Sequence, residues 1–205
     1  YGCTYRLLEQ VFAKFGVEVE YLDLTAQHNI ESIKEIQPQL VWIESPTNPL
    51  LKIIDIEEVA GSAHVAGASL VVDNTFASSC LQRPIELGAD LSLLSTTKYT
   101  NGHSDVLGGV VCTASDEWGD KMVFAQKALG LQPSPFGCWL IQRGLKTQAL
   151  RMAKHSTNGL AVASFFEKKF PDSLVRYPFL ESHPQYEIAK KQMSGGSGVV
   201  TVDLG

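Results

Sequence analysis

No apolar run in this sequence approaches the roughly 20 residues that a membrane span needs, and its start lacks the basic, apolar and small-residue order of a signal peptide. Cysteine is scarce. The four present, Cys3, Cys80, Cys112 and Cys138, are far apart and form no C-x-x-C pair, so neither a zinc site nor a disulfide framework is indicated. Lysine and arginine never cluster, and 22 acidic against 17 basic residues leave a net charge of -5, which argues against nucleic acid or an anionic membrane as the main partner. These absences leave a small-molecule substrate, reduced thiols and a cytoplasmic enzyme as the expectation. The chain also begins at Tyr1 without a methionine, which predicts a fragment of a longer protein.

What is present is enough apolar content, 44% against 19% charged, to bury a full core. Short runs rich in Val, Ile and Leu at residues 17–22, 40–43, 69–72, 91–94 and 107–112 are apolar without strict alternation. That pattern suits strands buried on both faces of a mostly parallel sheet. Helices are expected between them at 4–15, 29–36 and 56–66, with a short turn at 84–87. Asp55 followed by Glu58 reads as a capping-box start, and Gly16 and Gly67 read as stops. The repeated βαβ order gives an α/β domain. Farther on, helices are expected at 116–129 and 136–169, a strand at 174–177, a helix at 184–193 and a strand at 198–204. We place a large α/β domain over residues 1–160 and the beginning of a smaller α+β domain over 161–205.

Ligands of open parallel sheets bind at the carboxyl ends of the strands. Here those ends carry Glu44-Ser45-Pro46-Thr47-Asn48-Pro49, Asp73-Asn74-Thr75 and Ser95-Thr96-Thr97-Lys98. A lysine, a carboxylate and hydroxyls aimed at one crevice are the set a pyridoxal phosphate enzyme needs. Lys98 would form the Schiff base, its amine depressed in pKa by burial to serve as nucleophile and then base. Asp73 would pair with the pyridinium, and Ser95 and Thr97 would donate to the phosphate.

Residues 90–104, DLSLLSTTKYTNGHS, resemble the signature of the Cys/Met-metabolism, or trans-sulfuration, pyridoxal-phosphate enzymes, among them cystathionine γ-synthases, cystathionine lyases and methionine γ-lyases. Tyr1-Gly2-Cys3-Thr4-Tyr5-Arg6, the Glu44 to Pro49 stretch, Val72-Asp73-Asn74-Thr75-Phe76 and Arg143-Gly144-Leu145-Lys146-Thr147 extend the likeness over essentially the whole chain. The resemblance implies a fold-type-I large domain with the start of its C-terminal domain. It implies that Tyr1 stacks on the cofactor ring and acts as acid or base on the substrate, that Asn48 hydrogen-bonds the ring hydroxyl oxygen and that Thr75 packs near the ring. It also implies a homo-oligomer, a dimer of active dimers, and an amino-acid substrate carrying a γ-substituent. Synthase and lyase directions both stay open, Cys3 leaning toward a lyase.

Other readings compete. Lys98 alone is most simply a solvated lysine. Ser95-Thr96-Thr97-Lys98 satisfies the S-x-x-K of penicillin-binding enzymes, but Lys146-Thr147-Gln148 is only an imperfect K-T-G companion. Asp73 can cap a turn, and Asn48 between two prolines can be a turn residue. His103-Ser104-Asp105 are adjacent and cannot form a triad's relay, so a turn is expected. Gly137 after Ser134-Pro135-Phe136, where relatives carry Asp, predicts a lost helix cap. A catalytically silent fold relative would have lacked Lys98 or Asp73; both are present.

Overall fold

A computed structural model describes residues 1–171 and 173–203. Its centre is a four-stranded sheet ordered β1 (Leu40–Glu44), β2 (Ser69–Asp73), β3 (Leu91–Ser95) and β4 (Gly109–Cys112). The first three run parallel, Val72 pairing Ile43 on one side and Ser92 on the other, and β4 is antiparallel. Along β2 every residue after Ser69 is buried, as a central strand covered on both faces requires.

The parallel strands are joined by helices because each crossover has to bury its apolar stripe on the sheet. In α3 (Ile56–Val65), Ile56, Val59, Ala60 and Ala63 point inward and meet Leu70 and Val72 of β2, and α2 (Gln27–Ile36) adds Ile30 and Ile33. Each large side chain buried there contributes about 1.5–3 kcal/mol. Asp55 starts α3 as expected, its Oδ1 accepting from Glu58 N at 3.1 Å, and Gly67 (φ 76°) follows its end.

Residues 17–22 form no strand. They follow the left-handed Gly16, Val17 and Tyr21 stay exposed, and only Leu22 packs on the core, so the run does not join the sheet. The helix expected over 4–15 is α1 (Gly2–Gln10) and then a separate 3₁₀ turn, Phe12–Phe15, divided at Val11. A short helix α4 (Ser78–Leu81) lies where the sequence offered no signal.

Past β4 come α5 (Asp116–Ala128), α6 (Pro135–Leu145) and α7 (Gln148–Lys169). The single helix expected over 136–169 is therefore two. The Gly144 carbonyl accepts from Thr147 N at 3.2 Å and from Arg151 Nη2 at 2.8 Å, which ends the α6 ladder and turns the chain. The α6 cap is not lost. Ser134 Oγ accepts from Gly137 N at 2.9 Å, so Ser134 needs no carboxylate three residues on.

β5 (Leu174–Arg176) and β6 (Thr201–Asp203) form a separate two-stranded antiparallel sheet, and α8 (Tyr186–Gln192) lies between them. The strand at 198–204 is thus shorter than expected, and its residue 204 lies outside the described residues. Fully buried Tyr177 ties this region to α7, its hydroxyl 2.9 Å from Ser156 O and 3.0 Å from Ser197 O. Among the described residues no helix is long and apolar enough to cross a membrane, and no cysteine is in a disulfide.

Candidate active site

The carboxyl ends of β1, β2 and β3 meet around Asp73. It closes β2 opposite Glu44 on β1 and Leu93 on β3, and it is 8% exposed. Its Oδ1 accepts from Thr75 N at 3.0 Å. Thr75 Oγ1 in turn accepts from Ser95 N at 2.9 Å, and Asn74 N donates to Leu93 O at 2.8 Å, so the chain after β2 is sewn to the end of β3. Thr75 thus has a second task, carried by its hydroxyl.

Behind this corner lies a buried amide network. Gln82 Nε2 donates to Ser45 O at 2.7 Å and to Asn74 Oδ1 at 2.8 Å. From α8, Gln192 Nε2 donates to Gln82 Oε1 and to Ile54 O, both at 3.0 Å, and its Oε1 accepts from Ile56 N at 3.2 Å. A satisfied buried network of this kind holds a single arrangement, because breaking any one contact strands a desolvated group. It fixes the strand ends from beneath.

Immediately after β3, Thr96–Thr100 forms a π-type turn that departs from helical geometry at Lys98 (φ −89°, ψ −123°). Such turns recur at functional sites because they aim a side chain that a regular helix would hold along its flank. Lys98 is exposed, so the burial expected around its amine is not found, and the amine makes no hydrogen bond or ion pair among the described residues. It lines a cavity of about 680 Å³ with Phe76, Thr97, Tyr99, Asp105 and His155. Thr97 Oγ1 accepts from Gly108 N at 3.0 Å and donates back to Gly108 O over a long 3.4 Å. Ser95, half-buried, makes no side-chain hydrogen bond among the described residues.

Tyr1 lies on the rim, 57% exposed, its amino group 2.6 Å from Glu44 Oε2. Hydrogen bonding with Cys3 raises the Tyr1 phenol above its ordinary range, helped by the charges of Cys3 and Asp73. The same contact lowers the Cys3 thiol, with help from Arg6, whose Nη2 is 2.8 Å from Sγ. Burial raises Glu44, with Asp73 adding to the effect and the Tyr1 amino group opposing it.

The structure therefore brings Asp73, Thr75 and Ser95 into contact, directs Tyr1 toward them and sets Thr97 and Lys98 on the adjoining turn. Asn48 is placed apart. It is exposed and lines a second cavity of about 430 Å³ with Tyr21, Asp23 and Lys52, while its backbone N–H reaches Glu44. His103, Ser104 and Asp105 form the expected turn, His103 Nδ1 2.7 Å from Asn101 O and Asn101 Nδ2 donating to Asp105 Oδ1 at 2.7 Å.

Sequence reasoning gave no role to Glu44, a half-buried carboxylate beside Asp73, or to Arg151 and His155. The last two were readable as a pattern: Gln148, Arg151, Met152, His155 and Gly159 follow a spacing of three and four, one helix face, interrupting apolar residues with polar ones. That face of α7 meets the lysine turn, where His155 packs on Tyr99 with ring centres 5.1 Å apart.

The residues fit pyridoxal phosphate: an unengaged primary amine, a nearly buried carboxylate with one oxygen uncommitted, the unengaged hydroxyl of Ser95 and the hydroxyl of Thr97, tied only by a long bond to Gly108 O. The sequence model of the Cys/Met metabolism PLP-dependent enzyme family matches residues 1–205. The chain belongs to that family. It is 48% identical over 98% of its length to a cystathionine gamma-lyase of Dictyostelium discoideum, of which it covers 52%. To a probable cystathionine gamma-synthase of Herpetosiphon aurantiacus it is 44% identical, covering 100% of this chain and 64% of that one. Its fold superimposes on the crystal structure of a cystathionine gamma-lyase from Lactobacillus plantarum complexed with L-serine, with a TM-score of 0.96, 37% identity, and coverage of 100% of this chain and 54% of that chain. The chain thus spans about half the length of several members of the family it matches.

Proposed function

We propose that the intact protein binds pyridoxal phosphate through Lys98 and works on amino acids with a sulfur or ester substituent at the γ-carbon. It either replaces that substituent, giving cystathionine, or eliminates it. The observation that carries this reading is the unpartnered Lys98 amine, on a turn that immediately follows β3, next to the β2 end where Asp73 is held. The bound cofactor supplies an aldehyde for the lysine amine and a ring that withdraws electrons from the substrate's α-carbon.

The chain's residues do the rest. Asp73, kept in place by Thr75 N and the amide network beneath it, holds a proton on the ring nitrogen. Ser95 and Thr97 orient the phosphate as neutral donors. The Lys98 amine carries the proton lost from the α-carbon and returns it farther along the substrate. Tyr1, its phenol raised by Cys3 and by the nearby Asp73 charge, keeps its own proton and would act as acid or base on the substrate, as the family resemblance implies. Asn48, exposed at the end of the β1 loop, would hydrogen-bond the ring hydroxyl oxygen, as the family resemblance implies.

We also read a homo-oligomer, a dimer of active dimers, supported by exposed Phe124, Phe136 and Trp139, and a cytoplasmic location, supported by the unpaired cysteines. The test is to supply the intact protein with cystathionine, or with an O-acyl homoserine and cysteine, and to follow α-keto acid, ammonia and cystathionine. Turnover of one of these, lost in Lys98→Ala, is the expected result. Turnover of none would overturn the reading.

A further inference from the structure

Beyond the groups that would touch cofactor or substrate, one side chain fixes where Lys98 stands. We propose that Arg151, on α7, is a positioning residue that sets the direction of Lys98; this rests on the reading of Lys98 as the cofactor's anchor. The guanidinium makes no ion pair among the described residues. It is spent on oxygens of two backbone segments instead. Nη1 donates to Tyr99 O at 2.7 Å, Nη2 to Gly144 O at 2.8 Å and to Thr100 O at 3.5 Å, and Nε to Thr147 Oγ1 at 3.1 Å. A planar fork with five donors suits this task, because one rigid group can bind several carbonyls at once.

The surrounding glycines show how closely the parts are fitted. Gly102 (φ 77°) lies under the guanidinium, where a Cβ would fall 2.1 Å from Nη1. At Gly144 a Cβ would fall 2.1 Å from Asn101 O. Gly102 N donates to Lys98 O at 2.7 Å, so the carbonyl of the lysine and that of the next residue are gripped from one side, the first by Gly102 and the second by Arg151. On the other side, Thr96 N donates to Gly108 O at 2.9 Å and Asn101 N to Thr96 O at 2.9 Å. The tyrosine between the two grips is also held at its far end, its hydroxyl accepting from Gly198 N at 3.2 Å. Lys98 has a mobile side chain on a backbone with little freedom, and Arg151 joins that backbone to the α6–α7 corner.

The consequence concerns covalent attachment, in which the Lys98 amine adds to the cofactor aldehyde and water leaves. A misdirected amine slows that step without weakening the contacts to ring and phosphate made by other residues. A displacement on the order of 1 Å costs roughly 100-fold in a step that depends on alignment.

The test uses the intact protein with Arg151→Ala and Arg151→Lys. Pyridoxine 5′-phosphate, which has an alcohol in place of the aldehyde, reads the binding pocket alone, and the rate of imine formation with pyridoxal phosphate reads Lys98. Arg151→Ala is expected to keep its affinity for pyridoxine phosphate and to attach pyridoxal phosphate roughly 100-fold more slowly. Arg151→Lys, with one ammonium reaching one or two carbonyls, should fall between and serves if the alanine variant fails to fold. Attachment at the wild-type rate, or affinity and rate falling together in step with lost folded protein, would overturn the positioning role. Absence of attachment in the wild-type protein would overturn the cofactor reading as well.

Discussion

In the proposed reading, Asp73 is the residue on which the chemistry turns after Lys98. Its neighbours hold it still: one oxygen takes Thr75 N, and the ladder on both sides fixes its Cα. Replacing it with Asn keeps the shape and removes the charge that holds the ring proton. Asp73→Asn should therefore lower kcat/KM by ~100-fold or more, the scale of losing one preorganised electrostatic partner, with its unfolding midpoint close to wild type. Thr75→Val tests the other half of the corner. It keeps the volume but leaves Ser95 N without its acceptor, at a cost of about 1–3 kcal/mol in urea unfolding. Both residues were legible in the sequence because strand ends in a parallel sheet point to one place. The link between Thr75 and Ser95 was not, since a hydroxyl pairing with a backbone N–H twenty residues away leaves no local pattern.

At the scale of elements, the lysine turn and the α6–α7 corner form one joint. Gly144→Ala would press a methyl group into Asn101 O. Overpacking against backbone should destabilise the protein by about 1–3 kcal/mol, measured by urea unfolding, and should slow covalent cofactor attachment as Arg151→Ala does. The strands at 69–73 and 91–95 could be read from sequence because burial on both faces demands a continuous apolar run; β1 was read from the same kind of run, although it buries only Val41 and Ile43 and leaves Leu40 and Trp42 exposed. Residues 17–22, VEVEYL, are also rich in β-formers, yet a strand needs a pairing partner, and composition does not say whether the chain brings one alongside. The helix break between Leu145 and Gln148 was hidden for a related reason. No proline marks it, and Gly144 and the polar run Lys146-Thr147-Gln148 are tolerated inside a helix; Arg151 reaches back to Gly144 O from farther along α7.

Across the whole molecule, the segment around α8 is joined to the strand-end loops by Gln192 and by His183. The His183 ring is buried, with Nδ1 accepting from Gln185 N and Nε2 facing Leu51 O, both at 3.1 Å, a pairing that requires the neutral form with its proton on Nε2. Burial holds its pKa below the ordinary 6.5, with Arg176 adding to the effect. The unfolded chain therefore takes up a proton first as pH falls. This contribution to stability is complete above pH 6.5 and is lost as pH falls from there toward the folded pKa. Urea unfolding from pH 8 to pH 5 should show that decline in the wild type, and His183→Gln should remove this component of it.

The central claim is that Lys98 is the cofactor's covalent anchor. The most direct measurement is to reconstitute the intact protein with pyridoxal phosphate, reduce it with borohydride and locate the modified residue by peptide mass. The account predicts a pyridoxyl group on Lys98 and on no other lysine. An unmodified Lys98, with the cofactor absent or fixed elsewhere, would contradict it.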